Sequence, residues 1–336
     1  MDYPPSEISE ALMRLNLIDK PALGEPLAGG VSSDIWRVEG PKGPVCAKRA
    51  LEKLKVAADW RAPVERSIYE ARWLSRVSTA LPGAAPKMLG QDEATGVIAL
   101  EWLAPEHHPV WKAELLDGRI SPKFAAEVGR RLALIHSLTA LSKDPSVETD
   151  FPTDSIFHAI RLEPYLVALC SVWPKLANQL EFLVNRTAST KRCLVHGDVS
   201  PKNILVGPSG PVFIDAECAW AGDPAFDLAF CLNHLLLKCI ARPDKFEALG
   251  KSFEELSASY LQGVDWEPRR ELEMRAATLL PALLLARVDG KSPAEYVKKP
   301  EDKARIRNIA SFMIDTPHQS LFAIWATWSE NNLGAQ

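Results

Sequence analysis

One short stretch near residue 200 limits most strongly what this chain can fold into. It comprises His196–Asn203, with the sequence His-Gly-Asp-Val-Ser-Pro-Lys-Asn, and Asp215, which follows across a turn that contains glycine and proline. If residues 207–211 form a five-residue hairpin loop, antiparallel pairing places Asn203 opposite Asp215. We therefore predict a β-hairpin whose open end carries an amide and a carboxylate beside Asp198.

These side chains are the groups that phosphoryl transfer from a nucleotide requires. A carboxylate must orient and deprotonate the attacking hydroxyl, and oxygen ligands must hold a magnesium ion against the phosphates. Asp198 offers the first, and Asn203 with Asp215 offers the second. Aspartate and asparagine in turns often only satisfy backbone groups, but that alternative leaves the second acid unexplained. The pattern indicates a site for ATP and Mg²⁺.

The first hundred residues show the periodicity of a small sheet. Two short runs, Ile35–Val38 and Val45–Lys48, are separated by glycine and proline, which indicates antiparallel strands. Apolar residues between Val64 and Val77 recur at helical spacing, and the apolar run Val97–Leu103 predicts a further strand. We therefore predict a sheet-rich lobe formed by residues 1–104.

The remaining residues, 105–336, read mostly as helices. One helix is predicted to begin near Ser121-Pro122, because serine caps a helix and proline suits its first turn. Two more helix starts are predicted from capping boxes, Ser252 with Glu255 and Ser292 with Glu295. Strand-like runs are few and short: residues 193–195, 203–206 and 212–214. The predicted fold class is α+β, with a small antiparallel-sheet lobe, a larger helical lobe and a boundary near residues 103 to 110.

Lys48 ends the run Val45-Cys46-Ala47-Lys48, in which alternate residues share one face of a strand. A lysine on the inner face needs an acid from the next helix. Glu70 lies on the apolar face of that predicted helix, where an unpaired carboxylate would be costly to bury. Helical spacing turns Glu65 away from the same face, so we predict an ion pair between Lys48 and Glu70.

The order and spacing of these motifs resemble the aminoglycoside phosphotransferase family, small-molecule kinases that are relatives of protein kinases. Residues Ile214-Asp215-Ala216-Glu217 follow this family, whereas protein kinases have Asp-Phe-Gly at that place. The resemblance implies a bilobal protein-kinase-like fold, with Asp198 as the catalytic base and with Asn203 and Asp215 as magnesium ligands. It also implies that His196 supports the catalytic loop and that Asp227 braces it.

The resemblance further implies contacts with the nucleotide. Lys48, with Glu70 as its partner, would hold the phosphates, and the turn Gly29-Gly30-Val31-Ser32-Ser33 would fold over them with backbone N–H groups and hydroxyls. Two glycines in a turn are more often only a turn, and the Gly-x-Gly-x-x-Gly of protein kinases is absent from the sequence. Glu101-Trp102-Leu103 lie where the hinge between the lobes receives the adenine in this family.

The acceptor side admits more than one interpretation. Glu217, Trp220 and Asp223 place acids beside an indole and could receive a cationic or amino-bearing molecule through charge and cation–π attraction. Trp220 could equally pack in the core, and Asp223 could equally cap a helix. Arg287 and Asp289 follow an apolar run and could also line this side, or could simply be solvated.

Composition excludes other classes of protein. A formal charge of -4 gives no broad basic surface, which argues against nucleic acid as a partner. The six cysteines have neither disulfide nor zinc spacing, and no export signal or membrane span is evident, so a cytoplasmic location is expected. The expected partner is a small-molecule hydroxyl acceptor, bound by a monomer or homodimer that contacts no membrane.

Three functions stay open from the sequence. The first is a metabolic kinase for an amino alcohol, a sugar or a methylthioribose-like polyol, because Ile68-Tyr69-Glu70-Ala71 resembles methylthioribose kinases. The second is a kinase that confers aminoglycoside resistance. The third is a regulatory protein that binds a nucleotide without catalysis. The intact set of Lys48, Asp198, Asn203 and Asp215 argues against the third.

Overall fold

A five-stranded antiparallel sheet forms the first part of the protein. The structure is a computed structural model that describes residues 2–27, 33–53 and 63–333. The strands are β1 (Gly24–Pro26), β2 (Ser33–Gly40), β3 (Gly43–Ala50), β4 (Met88–Asp92) and β5 (Val97–Glu101), in the order β1-β2-β3-β5-β4. The predicted strands β2, β3 and β5 are confirmed, whereas β1 and β4 carry too few apolar residues to be recognised from periodicity.

The turn between β2 and β3 fixes the register of the sheet centre. Gly43 has a φ of 110°, a left-handed value that glycine adopts without strain. The two strands pair without interruption from Gly40 opposite Gly43 to Ser33 opposite Ala50. This register places Lys48 on β3 at the centre of the sheet, between β2 and β5.

Both faces of the sheet are covered, which explains the continuous apolar run of β5. Val97 and Ala99 belong to a cluster with α1 (Ser6–Arg14) on one face. Ile98 and Leu100 belong to the main core, together with buried residues of α2 (Arg66–Ala80), on the other face. Successive strand residues point to opposite faces, so a strand covered on both sides must be apolar throughout.

The rest of the chain is mainly helical. The helices are α3 (Trp111–Leu116), α4 (Pro122–Leu138), α5 (Ser146–Asp150), α6 (Asp154–Phe157), α7 (Ala168–Val172), α8 (Ala177–Ser189), α9 (Pro224–Ala241), α10 (Phe246–Gln262), α11 (Arg269–Asp289), α12 (Pro300–Asp315) and α13 (Leu321–Leu333). A π-helix, His158–Val167, joins α6 to α7. The short strands are β6 (Cys193–Val195), β7 (Ile204–Gly207), β8 (Gly210–Phe213) and β9 (Trp220–Gly222).

Helix α9 forms the centre of this helical part. Almost all of its residues are buried, and it packs against both α10 and α11. Two stretches, Asp154–Val172 and α9, are long and apolar enough to cross a membrane by length and composition. In α9, 89% of the apolar window is buried inside the protein, as expected for a core helix.

The predicted helix starts had different outcomes. Ser121 caps α4 as expected, because its Oγ accepts the N–H of Phe124 at 3.2 Å. Ser252 lies in the middle of α10 and donates to the carbonyl oxygen of Ala248 at 2.8 Å, so its capping box is wrong. Residues 292–295 begin no helix either, since α12 starts at Pro300. The Ser-x-x-Glu pattern also occurs inside helices, where serine bonds back to the preceding turn.

The link between the two parts runs from Glu101, the last residue of β5, to Trp111, the first residue of α3. The predicted division into residues 1–104 and 105–336 stays a prediction. Strand β7, which follows the predicted catalytic loop, lies beside this link, because Val110 bridges to Leu205 of β7. The proposed chemistry is therefore located where sheet and helices meet.

Candidate active site

The predicted catalytic loop, His196–Asn203, connects β6 to β7 and is held by a buried carboxylate of α9. Asp227 is fully buried; its Oδ2 accepts the backbone N–H of His196 at 2.7 Å, and its Oδ1 accepts that of Gly197 at 2.8 Å. Its third partner is Nε2 of His136, at 3.2 Å. Gly197 has a φ of 78°, and a Cβ there would lie 2.5 Å from the carbonyl oxygen of Cys218. The structure thus contains the bracing contact that the family resemblance implied.

His196 links the catalytic loop to the end of β8. Its Nδ1 accepts the backbone N–H of Asp198 at 3.2 Å, and its Nε2 lies 3.0 Å from the carbonyl oxygen of Ile214. The second contact requires a proton on Nε2, which fixes the neutral tautomer. Burial lowers the pKa of His196, which also favours the neutral ring. His196 therefore connects the catalytic loop to the end of β8, which is the kind of supporting contact that the resemblance implied.

Asp198 is a buried carboxylate held by two cations. It is 4% exposed, and its Oδ2 lies 2.8 Å from Nη2 of Arg161 and 3.1 Å from Nζ of Lys202. Burial opposes ionisation, but the charges of Arg161 and Lys202 outweigh it, so the pKa of Asp198 is lowered. The carboxylate is therefore ionised at neutral pH and can accept a proton.

Sequence reasoning missed Arg161, which lies on the π-helix. Its Nε also donates to the carbonyl oxygen of Gly197 at 2.5 Å, so it contacts both the backbone and the acid of the catalytic loop. The sequence carried a signal, because Arg161 lies in an apolar stretch. In the structure this arginine is indeed buried, with 7% of it exposed. The argument that identified Glu70, a buried charge that needs a partner, applies equally to this arginine.

The predicted ion pair between Lys48 and Glu70 is confirmed. Nζ of Lys48 lies 2.7 Å from Oε1 of Glu70, and both side chains are buried. Lys48 also pairs with Asp215, which joins the sheet to the end of β8. Burial raises the pKa of Glu70 to about 7 even beside Lys48. The pKa of Asp215 is lowered, because Lys48 and Lys202 outweigh the effect of burial.

The predicted hairpin is present, but its predicted register is wrong by one residue. Gly207 pairs with Gly210, so the loop contains two residues rather than five. Asn203 therefore lies opposite Ile214, whose N–H donates to its carbonyl oxygen at 3.0 Å. Asp215 is the next residue, with a left-handed φ of 66°. The Nδ2 of Asn203 donates to the carbonyl oxygen of Asp198 at 3.1 Å, which leaves the amide oxygen to face away from that bond.

Two of the residues predicted to bind the acceptor belong to the interior instead. Trp220 is buried and stacks on Phe157 with ring centroids 4.2 Å apart, while its Nε1 donates to Asp154. Asp223 is buried, caps α9 through the N–H of Ala225 and forms an ion pair with Arg275. For both residues the structural alternative was correct, because their polar groups are satisfied inside the protein.

The other candidates for the acceptor side also have partners within the protein. Glu217 lies 2.8 Å from Nε of the buried Arg66. Asp289 accepts from Nε1 of Trp173 at 2.9 Å and pairs with Arg307. These two acids are therefore committed to other side chains, which argues against an acidic acceptor site. Arg287 is 9% exposed and bonds to neutral groups only, within the residues that the structure describes.

The predicted nucleotide contacts are only partly described. Glu101 ends β5, and its carboxylate accepts the backbone N–H of Lys87 at 2.8 Å, which ties the hinge to β4. Leu103 lies two residues beyond the strand and is half-buried. Ser33 begins β2 and is buried. Gly29, Gly30 and Ser32 lie outside the described residues, so the phosphate turn stays a prediction.

Comparison with known proteins places these motifs in context. A family described as "Phosphotransferase enzyme family" matches residues 24–272. A methylthioribose kinase from Yersinia pseudotuberculosis is 28% identical over 226 residues, which cover 59% of this chain and 54% of that protein. One from Erwinia tasmaniensis is 27% identical, over 59% of this chain and 55% of that protein. The chain thus spans about half the length of the curated relatives it matches.

Solved structures show the same fold at low sequence identity. A choline/ethanolamine kinase family protein from Mesorhizobium loti has a TM-score of 0.53 and 16% identity, with 93% of each chain covered. A choline kinase from Streptococcus pneumoniae has a TM-score of 0.51 and 15% identity, with 92% of this chain and 98% of that chain covered. These likenesses confirm the protein-kinase-like α+β fold that the sequence predicted.

Proposed function

Because the chain belongs to the phosphotransferase enzyme family, which matches residues 24–272, we propose that it transfers the γ-phosphoryl group of ATP to a hydroxyl group of a small molecule. One observation carries the proposal: Lys202 links the two acids of the site. It lies 3.1 Å from the buried, ionised Asp198, and its charge also lowers the pKa of Asp215. Asp215 in turn pairs with Lys48. A base and a phosphate-binding lysine are thus connected through one chain of charges.

Asp198 supplies the base. Its carboxylate aims the acceptor hydroxyl at the phosphoryl group and accepts the proton as the new O–P bond forms. Arg161 holds the carboxylate in place, and the low pKa keeps it unprotonated at neutral pH. A positioned general base contributes about 10²- to 10⁴-fold to such a reaction, and orientation and charge stabilisation contribute most of the rest.

The residues present fit a magnesium ion. Asp215 and the amide oxygen of Asn203 would hold it, since hard cations prefer oxygen ligands. Magnesium at a nucleotide site usually takes only one or two protein ligands and completes its shell with phosphate oxygens and water. When bound, such an ion neutralises phosphate charge. Lys48, kept in place by Glu70, would contact the phosphates directly.

The cellular setting is part of the proposal. All six cysteines are free thiols, four of them buried, which is consistent with a reducing compartment such as the cytoplasm. The similarity to methylthioribose kinases makes a polyol one of the first acceptors to test. A monomer or homodimer would suffice, because the proposed groups all come from one chain.

The proposal is tested by magnesium-dependent ATP consumption across a panel of hydroxyl compounds that includes choline, methylthioribose and kanamycin. We expect turnover that requires both magnesium and an acceptor. In Asp198→Asn, kcat should fall by about 10²- to 10⁴-fold, while binding of the ATP analogue AMP-PNP stays within threefold of wild type.

Asp265→Asn is the matched control, because this aspartate is exposed and far along the chain from the catalytic loop. Its kcat should equal that of wild type. Wild-type turnover in Asp198→Asn would show that the base has been assigned to the wrong residue.

A further inference from the structure

Two buried basic side chains, Lys238 and Arg287, lack an acidic partner among the residues that the structure describes. Lys238 of α9 is 0% exposed, and its Nζ has no hydrogen-bond partner in the part of the chain that the structure describes. Arg287 of α11 is 9% exposed and donates from Nη1 to the hydroxyls of Tyr165, at 3.3 Å, and Ser292, at 2.9 Å. Its Nε has no partner among the same residues. Both positive charges are therefore uncompensated by any described carboxylate within 4 Å.

Most other buried cations of this protein are paired with acids, although Arg131, which is 8% exposed, bonds only to carbonyl oxygens among the described residues. Lys48 pairs with Glu70, and Arg275 pairs with both Asp223 and Glu267. An unpaired charge is costly to bury, and lysine and arginine are almost never fully buried without a partner. Lys238 departs from this pattern, because its Nζ has no hydrogen-bond partner among the described residues, whereas Arg287 resembles Arg131 in bonding only to neutral groups.

The two cations belong to one electropositive region. Nζ of Lys238 lies 3.6 Å from the ring centroid of Tyr296, whose hydroxyl is 3.3 Å from Nδ1 of His234. Burial lowers the pKa of His234, and the charges of Arg287 and Lys238 lower it further. Burial also lowers the pKa of Lys238 to about 7, with further contributions from Lys112 and Arg287.

The charged groups that face Lys238 come from three elements. Lys112 belongs to α3 and Arg287 to α11, and both are cationic. The acid that acts on Lys238 is Glu295, whose side chain is 60% exposed and already pairs with Lys112. Arg287 therefore carries the permanent positive charge of this region, and a bound anion would favour the protonated form of Lys238, whose pKa is about 7 without it.

This region is continuous with Asp198. Arg161, which pairs with Asp198, lies 5.9 Å from the ring centroid of Phe230, and that ring is 5.4 Å from the ring of His234. The same arginine lies 6.0 Å from the ring centroid of Tyr165, and Arg287 lies 5.9 Å from the centroid of Tyr165. The guanidinium group that holds Asp198 and that of Arg287 thus contact the same aromatic ring.

We propose that the acceptor carries an anionic group, a carboxylate or a phosphate, which binds at Arg287 and Lys238 while its hydroxyl lies at Asp198. The inference rests on the proposed kinase function and names its class of substrate. An oxyanion would supply the missing negative charge and accept hydrogen bonds from the unpaired Nε and Nζ groups. Tyr296 lies over Lys238 in a segment between α11 and α12 that has no helix or strand, so it can shift without disrupting either helix.

The alternative of a cationic acceptor has less support in the structure. The acids expected to attract such a molecule, Glu217 and Asp223, are paired with Arg66 and Arg275. Among the residues described, both of these acids are therefore already neutralised by an arginine, whereas Lys238 and Arg287 have no acid within 4 Å.

A binding experiment with sulfate tests the anion site directly. The enzyme is first saturated with magnesium and AMP-PNP, which occupies the phosphate-binding groups around Lys48, and sulfate is then titrated at constant ionic strength while Tm is followed. We expect a saturable rise in Tm for wild type and an apparent sulfate affinity at least tenfold weaker in Lys238→Met and in Arg287→Gln. The control Lys251→Met removes an exposed lysine of α10 and should match wild type.

Lys238→Met also separates a functional from a structural role. Methionine has a similar length and no charge, so the variant should fold and, without sulfate, should be at least as stable as wild type. A clear loss of stability would show that Lys238 serves the fold, and an unchanged sulfate response would show that it binds no anion. Either result would overturn the inference.

Kinetics with matched acceptors identify the anionic group. Glycerate and glycerol 3-phosphate are compared with glycerol, and gluconate with glucose. We expect turnover with an anionic member of the set, and a KM for it that rises at least tenfold in Lys238→Met while the KM for ATP is unchanged. The glycerate and glycerol 3-phosphate arms distinguish a carboxylate from a phosphate.

The two proposals fail in different ways. Turnover with choline, methylthioribose or kanamycin, at a KM that Lys238→Met does not change, would overturn the anionic acceptor and leave the kinase intact. Saturable sulfate binding without magnesium-dependent turnover on any compound would overturn the kinase function instead.

Discussion

Replacing Asp227 with asparagine keeps the size of a fully buried side chain but removes its charge and one of its two acceptor oxygens. In the structure three groups converge on this carboxylate: the backbone N–H groups of His196 and Gly197 and the Nε2 of His136. Because an amide has only one acceptor oxygen, its NH₂ group must face one of the backbone N–H donors.

The cost of Asp227→Asn follows from these contacts. A buried donor without an acceptor costs about 1–3 kcal/mol, and the bond from the other backbone N–H weakens by about 1 kcal/mol when its acceptor is no longer charged. We therefore expect the free energy of unfolding to fall by about 2–4 kcal/mol. The catalytic loop should also lose its fixed position, so kcat should fall at least tenfold, whereas AMP-PNP affinity should stay within threefold.

Urea unfolding followed by tryptophan fluorescence measures the first quantity, and initial rates with saturating ATP measure the second. Asp265→Asn is the control, since this exposed aspartate pairs only with Lys143 and Ser137 among the described residues and should change stability by less than about 0.5 kcal/mol. Equal stability and equal kcat in Asp227→Asn and wild type would refute the role of the buried carboxylate as a brace.

Three further predictions concern the fold and the nucleotide site. In Glu70→Gln, Lys48 should shift towards Asp215, which then competes with the phosphates for its charge, so the KM for ATP should rise about tenfold. An unchanged KM would show that the ion pair with Glu70 does not position Lys48. The hydrogen bond from Arg14 lowers the pKa of Asp92 to about 2, so this pair contributes stability that is present above pH 4 and lost as the pH falls towards 2. The urea midpoint should therefore decrease more for wild type than for Asp92→Asn between pH 4 and pH 2. An equal decrease in both proteins would argue against the pair of Arg14 and Asp92. Gly197→Ala should destabilise the protein and abolish turnover, because its Cβ would meet a carbonyl oxygen. In the control Gly83→Ala the φ is a similar 81°, but no atom lies within 4 Å of the added Cβ, so only the backbone strain of about 1–2 kcal/mol is expected. Equal effects of the two substitutions would refute the steric argument.

Several features of the site could be read from the sequence because they depend on local patterns. The alternation in β2 and β3 and the helical spacing in α2 fixed those elements, and the cost of burying an acid identified Glu70 as the partner of Lys48. The family resemblance, drawn from the order of short motifs, is confirmed by the match over residues 24–272.

Other features could not be predicted, because several alternatives have nearly the same local sequence signal. A five-residue and a two-residue loop both suit the glycine- and proline-containing turn, and the choice shifts the partner of Asn203 by one residue. The capping box at Ser252 has the right letters, but helix α10 continues through it because its apolar face packs against α4. Local rules give way here to the burial of a long helix.

Taken alone, the sequence determined three strands of the sheet, which loop carries the proposed base and which family the chain resembles, since these are properties of neighbours along the chain. Only the tertiary structure decided how the charges are matched. Arg161 reaches Asp198 across 37 positions of the sequence, and Asp223 is neutralised by an arginine 52 positions away. A charge is satisfied or left unpaired by what lies within a few ångströms in space, so the unmatched Lys238 and Arg287 became visible only once the chain was folded.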